Sequence, residues 1–142
     1  MIDYIVSGVN TSKDSVESVR DLIKGARSSI SIYDPSLNPE LYQNKELVQI
    51  IKIAVEYKRI PVEIICNSDA PITNPDLEKL IEDKKISLYR TDTRLENHAS
   101  FMVIDNRHVR LEKPEKDPLV FFHPLFLGNK MQKTFDKLKS SK

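Results

Sequence analysis

Residues able to do chemistry concentrate between His98 and Asp105, in the run His-Ala-Ser-Phe-Met-Val-Ile-Asp. The His98 imidazole, with an unperturbed pKa near ~6.5, is a competent nucleophile or proton carrier at neutral pH. Ser100 offers a hydroxyl that donates one hydrogen bond and brings no charge. Asp105 closes the run as a carboxylate, within an Asp-Asn-Arg sequence that is also good turn chemistry. Around them stand Arg90, Arg94, Arg107, His108, Arg110 and Lys113. Of these cations Arg94 and Arg107 are the candidates for holding an anion, against the plain alternative that all are solvated surface charge.

Other chemistries find little support. The chain has three glycines, Gly8, Gly25 and Gly128, so it has no glycine-rich phosphate loop, and it carries no Cys-x-x-Cys or Gly-x-Ser-x-Gly pattern. His108 and His123 do not share metal-ligand spacing with His98 or with a carboxylate cluster, so no metal site and no cofactor is expected. The lone Cys66 ends an apolar run and reads as a buried, inert thiol; it excludes an intrachain disulfide. Asp69, Asp76, Glu78, Glu82 and Asp83 read as a solvated acidic face.

The elements that must position His98 and Ser100 follow from periodicity. Residues 99–104 are almost wholly apolar, the mark of a strand buried on both faces. His98 and Ser100 then share one face with Met102 and Ile104, which puts an imidazole beside a hydroxyl at one rim. A tight turn at Asp105, Asn106 and Arg107 and a partner strand at 108–111 complete a hairpin. Upstream, residues 4–6 form a first strand or an arm. Val16, Val19, Leu22, Ile23 and Ala26 mark a helix from Asp14, with Asp14 and Glu17 at capping-box spacing. Residues 28–33 alternate as a half-buried strand facing inward through Ile30 and Ile32. A helix from Pro39 or Asn44 to Tyr57 carries the stripe Leu47, Ile50, Ile51, Ala54 and Val55. A strand at 60–66, a helix opened by Asn74-Pro75 with Leu77, Leu80 and Ile81 inward, and a strand at 86–89 follow. Residues 113–118 form an exposed loop, 119–123 a last strand and 125–139 a last helix. Alternating helices and strands imply parallel crossovers, and the hairpin makes the sheet mixed, so the expected architecture is α/β with a mostly parallel sheet flanked by helices.

The spacing of His98 and Asp105, within this order of elements, resembles the phospholipase D superfamily. Its signature is a histidine, any residue, a lysine, four residues and an aspartate. Ser100 stands where that lysine would be. The resemblance implies that His98 attacks phosphorus, that the lysine binds phosphate oxygens, and that Asp105 supports the motif. A Gly-Ser-x-Asn element expected near Leu111 is replaced by Leu-Glu-Lys-Pro. The family's single-motif members pair two copies across a two-fold interface, so a homodimer is the implied assembly for a chain without an internal repeat.

Length bounds the rest. The 142 residues suit one domain spanning 1–142, and the net charge of +1 announces no strong global field for nucleic acid or an acidic membrane. With no apolar run near 18 residues and no signal-peptide pattern, a cytoplasmic address is expected. Three functions stay open. The first is a non-catalytic domain that binds an anionic, phosphate-containing ligand or a protein partner. The second is a weak phosphodiesterase or nuclease acting on a phosphodiester or nucleic acid, with His98 as nucleophile in a homodimer. The third is a structural interaction domain.

Overall fold

The structure is a computed structural model that describes residues 15–92, 100–112, 119–121 and 125–140. The expected arm at 4–6, Asp14 of the capping box and the loop at 113–118 lie outside the described residues. Among the described residues five helices, α1 (Ser15–Lys24), α2 (Pro39–Tyr42), α3 (Lys45–Glu56), α4 (Pro75–Glu82) and α5 (Leu125–Ser140), accompany six strands. The strands are β1 (Ile30–Tyr33), β2 (Val62–Cys66), β3 (Ile86–Arg90), β4 (Ser100–Ile104), β5 (His108–Glu112) and β6 (Leu119–Phe121). They form one sheet in the order β3-β2-β1-β4-β5-β6. The pairs β1·β2 and β2·β3 are parallel, whereas β4 runs antiparallel to β1 and begins an antiparallel half completed by β5 and β6. The mixed α/β sheet expected from the sequence is therefore present, but it is not mostly parallel: two of its pairs are parallel and three antiparallel, because the chain returns through hairpin-connected strands after β3.

Local chemistry sets the element ends. Asn44 caps α3, its Oδ1 accepting from the Leu47 N–H at 3.0 Å, and Asn74 caps α4 by accepting from Asp76 and Leu77, with Pro75 in the first turn. Both starts considered for the second helix exist, because a single turn at Pro39–Tyr42 precedes the Asn44 cap. In the β4–β5 turn, Asp105 and Asn106 both have φ 58°, and the Arg107 N–H returns to the Ile104 carbonyl at 2.9 Å. Positive φ at two successive positions is the type I′ condition, and Asp and Asn tolerate it better than most side chains.

The two faces of the sheet are covered differently. Helices α1, α3 and α4 lie over Ile30, Ile32, Val62, Ile64, Met102 and Ile104, closing a core with Val19, Ile23, Leu47, Ile51, Leu77 and Leu80. On the other face α5 brings Phe135 and Leu138 against Tyr33, Ile65, Phe101, Val103 and Val109. That second cover corrects the reading of β1 as half-buried: all four of its residues are buried, Ser31 included. The polar cost is met by α5, whose Gln132 amide donates to the Ser31 hydroxyl at 3.2 Å. Each fully buried Leu or Ile side chain contributes about 1.5–3 kcal/mol of transfer free energy, so both covers are major sources of stability. Among the described residues no helix is long and apolar enough to cross a membrane.

Candidate functional site

Ser100 opens β4 at the carboxyl end of the parallel strands, since β4 runs against β1 and Phe101 pairs with Tyr33. This is the edge at which open α/β sheets present their loops to ligands. His98 and Arg94, expected to face the same rim, lie outside the described residues, as does Lys113. The structure therefore shows the rim through Ser100 and its neighbours.

Three polar groups stand along this edge, Asp34 and Arg110 on the strands beside β4 and Arg90 on β3, three strands away. Asp34, directly after β1, is 5% exposed; its carboxylate accepts from the Leu37 and Asn38 N–H groups, each at 3.1 Å, and so fixes the turn leaving the sheet. Arg90, at the end of β3, uses one guanidinium nitrogen to donate to the carbonyls of Asn67, Ser68 and Ala70, at 3.0, 3.3 and 2.8 Å. It holds the loop after β2 in place. Cys66 is buried between these charges; burial pushes its thiol pKa up, with Arg90 opposing and Asp34 adding to the rise. A thiol held protonated is a poor nucleophile, as its apolar surroundings in the sequence suggested.

The third group is Arg110. Register pairs Met102 with Arg110 and Ser100 with Glu112, so Arg110 lies on the face of Met102 and Ser100, one diagonal step from Ser100. Diagonal neighbours of this kind lie ~7–8 Å apart, within the span of a long side chain. Arg110 is 4% exposed. The expectation that it is solvated surface charge is therefore corrected. A signal was available: a three-residue turn at 105–107 sets Ile104 against His108, and counting outward brings Arg110 against the inward-facing Met102.

Asp105 and Arg107 are somewhere else. Five strand residues at ~3.3 Å each separate Asp105 from Ser100 by roughly 16 Å, and the two lie at opposite ends of β4. The structure does not bring them together. Instead the Asp105 carboxylate accepts from the backbone N–H groups of Arg27, Ser28 and Ser29, at 3.0, 2.7 and 3.0 Å, and from the Ser28 hydroxyl at 3.1 Å. Its own N–H donates to the Ser29 carbonyl at 2.9 Å. Burial pushes the carboxyl pKa up, but the bonds from Ser28, Ser29 and Arg27 outweigh it and hold the pKa below its ordinary value. Asp105 is thus a clamp between the hairpin and the α1–β1 connection. Arg107, exposed in the same turn, faces that far end rather than the Ser100 rim.

No family model and no curated protein sequence matches the chain. Solved structures do match. TrmBL2, an archaeal chromatin protein that binds DNA, superposes with a TM-score of 0.70 at 12% identity over 94% of this chain and 50% of its own. NucT from Helicobacter pylori gives 0.69 at 17% identity, over 92% of this chain and 91% of NucT. The phosphatidylserine synthase of Haemophilus influenzae Rd KW20 gives 0.56 at 15% identity, over 93% of this chain and 38% of the synthase. The fold is phospholipase D-like. At these identities the likeness is one of fold, and this chain spans half or less of two of the three proteins. Within the phospholipase D-like frame, Arg110 and Asp34 are the described polar groups on the strands beside Ser100, and Arg90 stands three strands away.

Proposed function

We propose that the chain is a phospholipase D-like domain that holds a phosphate-bearing ligand at the Ser100 rim and does not turn it over efficiently. The observation that carries this reading is the buried Arg110 on the face of Ser100. Ser100 stands where the resemblance calls for lysine, and a hydroxyl cannot neutralise a phosphodiester. A guanidinium one diagonal step away supplies fixed positive charge in a forked geometry suited to phosphate oxygens. Holding a ground-state phosphate needs that charge and little more. Turnover also needs donors placed for the oxygens that gain charge in the transition state, and loss of one such donor typically costs ~10²–10³ in rate.

The test pairs binding with turnover. Orthophosphate binding, followed by calorimetry, is expected for the unmodified chain, to be lost in Arg110→Met and to be strengthened in Ser100→Lys. Bis-p-nitrophenyl phosphate should be hydrolysed at or near the background rate. Robust hydrolysis abolished by His98→Ala would replace this reading with the catalytic one. Catalysis through paired motifs also requires a second copy, since one chain offers one such histidine. A mass near 16.4 kDa at every concentration in sedimentation equilibrium would remove the shared-site homodimer.

A further inference from the structure

The opposite end of the sheet carries a separate feature. Two open hollows meet there: one of about 570 Å³ is lined by Lys24, Gly25, Ala26, Arg27, Lys58 and Ile60, and one of about 500 Å³ by Gly25, Arg27, Asp105, Arg107 and His108. Gly25 and Arg27 line both, so the hollows adjoin and together make a groove across this end. Lys24, Arg27, Lys58 and Arg107 are all exposed. The one carboxylate in the lining, Asp105, is already met by three backbone N–H groups and a hydroxyl. Four fixed cations against one carboxylate exceed the net +1 of the whole chain, so the remainder is net negative and positive charge is concentrated in this lining. Of the exposed acids outside the lining, Asp69, Asp76 and Glu78 lie toward the other end of α4, while Glu82 and Asp83 close α4 at this end, ahead of β3.

From this groove we infer that the end of the sheet remote from Ser100 binds the phosphodiester backbone of a single-stranded nucleic acid. A row of cations along an open groove tracks successive phosphates, which a single small anion would not require. The lysine that anchors one end keeps donors to spare for a phosphate, because Lys58 donates to the Lys24 carbonyl at 2.6 Å and an ammonium has three donors. That bond also offsets the partial negative charge at the end of α1, which would otherwise oppose an anion. Next to Lys58 in the chain, Tyr57 is 80% exposed, the most accessible large hydrophobic side chain among the described residues. An exposed ring beside a cationic groove is a stacking platform for an unpaired base, whose faces a duplex keeps stacked inside. A single strand therefore fits both features. This site is independent of the phosphate reading at the Ser100 rim, and the two can fail separately.

The experiment is fluorescence polarisation of a labelled 20-nucleotide single strand against the full chain over a salt series. With four cations engaged, the logarithm of affinity should fall against the logarithm of salt with a slope near about −3. The double variant Lys24→Glu/Lys58→Glu should bind about tenfold or more weakly, with the slope reduced by about 1.4. Tyr57→Ala should weaken the single strand by about fivefold or more and leave duplex binding unchanged. Lys79→Glu/Lys133→Glu reverses two exposed cations outside the groove and should change little, while Arg110→Met should abolish orthophosphate binding and spare the strand. Thermal melts of every variant establish that they are folded. The inference is overturned if no strand binds at low salt, or if the Lys79/Lys133 variant loses as much as the Lys24/Lys58 variant. Duplex bound as well as single strand with Tyr57→Ala silent also overturns it, as does equal dependence on Lys24 and Lys58 for phosphatidylserine vesicles without binding of the strand.

Discussion

Replacing Asp105 by asparagine isolates the clamp at the far end of β4. Asparagine keeps one carbonyl oxygen at the position of the Oδ1 that accepts from Arg27, Ser28 and Ser29, and it tolerates the φ of 58°. What it removes is charge, together with the Oδ2 that accepts a second bond from the Arg27 N–H at 3.0 Å. Hydrogen bonds to an ionised acceptor contribute about 1.5–3 kcal/mol each against about 0.5–1.5 for neutral pairs. With partial exposure and strong coupling among the bonds, the expected loss is about 2 kcal/mol, or a fall in Tm of about 4–8 °C for a chain of this length. Asp105→Ala loses every acceptor and also places a Cβ-bearing residue without local compensation at positive φ, adding about 1 kcal/mol that Asp105→Gly should largely recover. The pH dependence follows from the direction of the shift. A carboxyl whose folded pKa lies below its unfolded value, ~3.9, contributes stability that is present above that value and lost as pH falls through the folded pKa. The gap between the unmodified chain and Asp105→Asn should therefore be constant from about pH 7 to 5, narrow as pH falls below about 4, and close only below the folded pKa. Urea unfolding across this range measures it. A variant as stable as the original at neutral pH, or a gap that does not narrow as pH falls below about 4, would refute the account of Asp105 as an ionised clamp.

Other perturbations test the frame that carries both ends of β4. Ile51→Ala empties a fully buried position beneath the sheet and should cost about 2–5 kcal/mol by denaturant unfolding, with no change in association. Gly128→Ala should destabilise despite the better helix propensity of alanine. Its Cβ would lie 2.4 Å from the Asn106 carbonyl oxygen and 2.8 Å from the Arg107 Cα, both backbone atoms of the β4–β5 turn, so the expected cost is about 1–3 kcal/mol in a thermal melt. Asn74→Ala removes the acceptor for two N–H groups at the start of α4 and should cost about 1 kcal/mol by urea unfolding.

What could be read in the sequence was whatever a local pattern encodes. Leu47, Ile51 and Ala54 recur at helical spacing and are buried along α3, and Asn74-Pro75 opens α4, because each needs only residues within a turn or two. The two-sided burial of β1 was hidden because its second cover is α5, about one hundred residues later, and because Ser31 looks solvent-facing until Gln132 supplies its partner. The clamp on Asp105 was hidden for the same reason. Its partners lie 76–78 residues away, and apart from the Ser28 hydroxyl they bind through backbone N–H groups that every sequence possesses. Arg110 differs from both. The information lay in the turn length, and it was masked by the general rule that arginines are exposed.

The placement of Ser100 and Asp105 also changes what their spacing means. Two positions at opposite ends of a five-residue strand are held apart, and their separation measures the strand between the rim and the turn. An aspartate at that distance is required by the hairpin, which needs a residue tolerant of positive φ, and by the α1–β1 connection, which needs an acceptor for three N–H groups. Both demands concern folding. Asp105 would therefore be expected in a chain of this fold whether or not it acts on phosphorus, and it carries no weight in choosing between binding and turnover. That choice falls on the other end of β4, on whether the guanidinium of Arg110 can do there for a bound phosphate what the hydroxyl of Ser100 cannot.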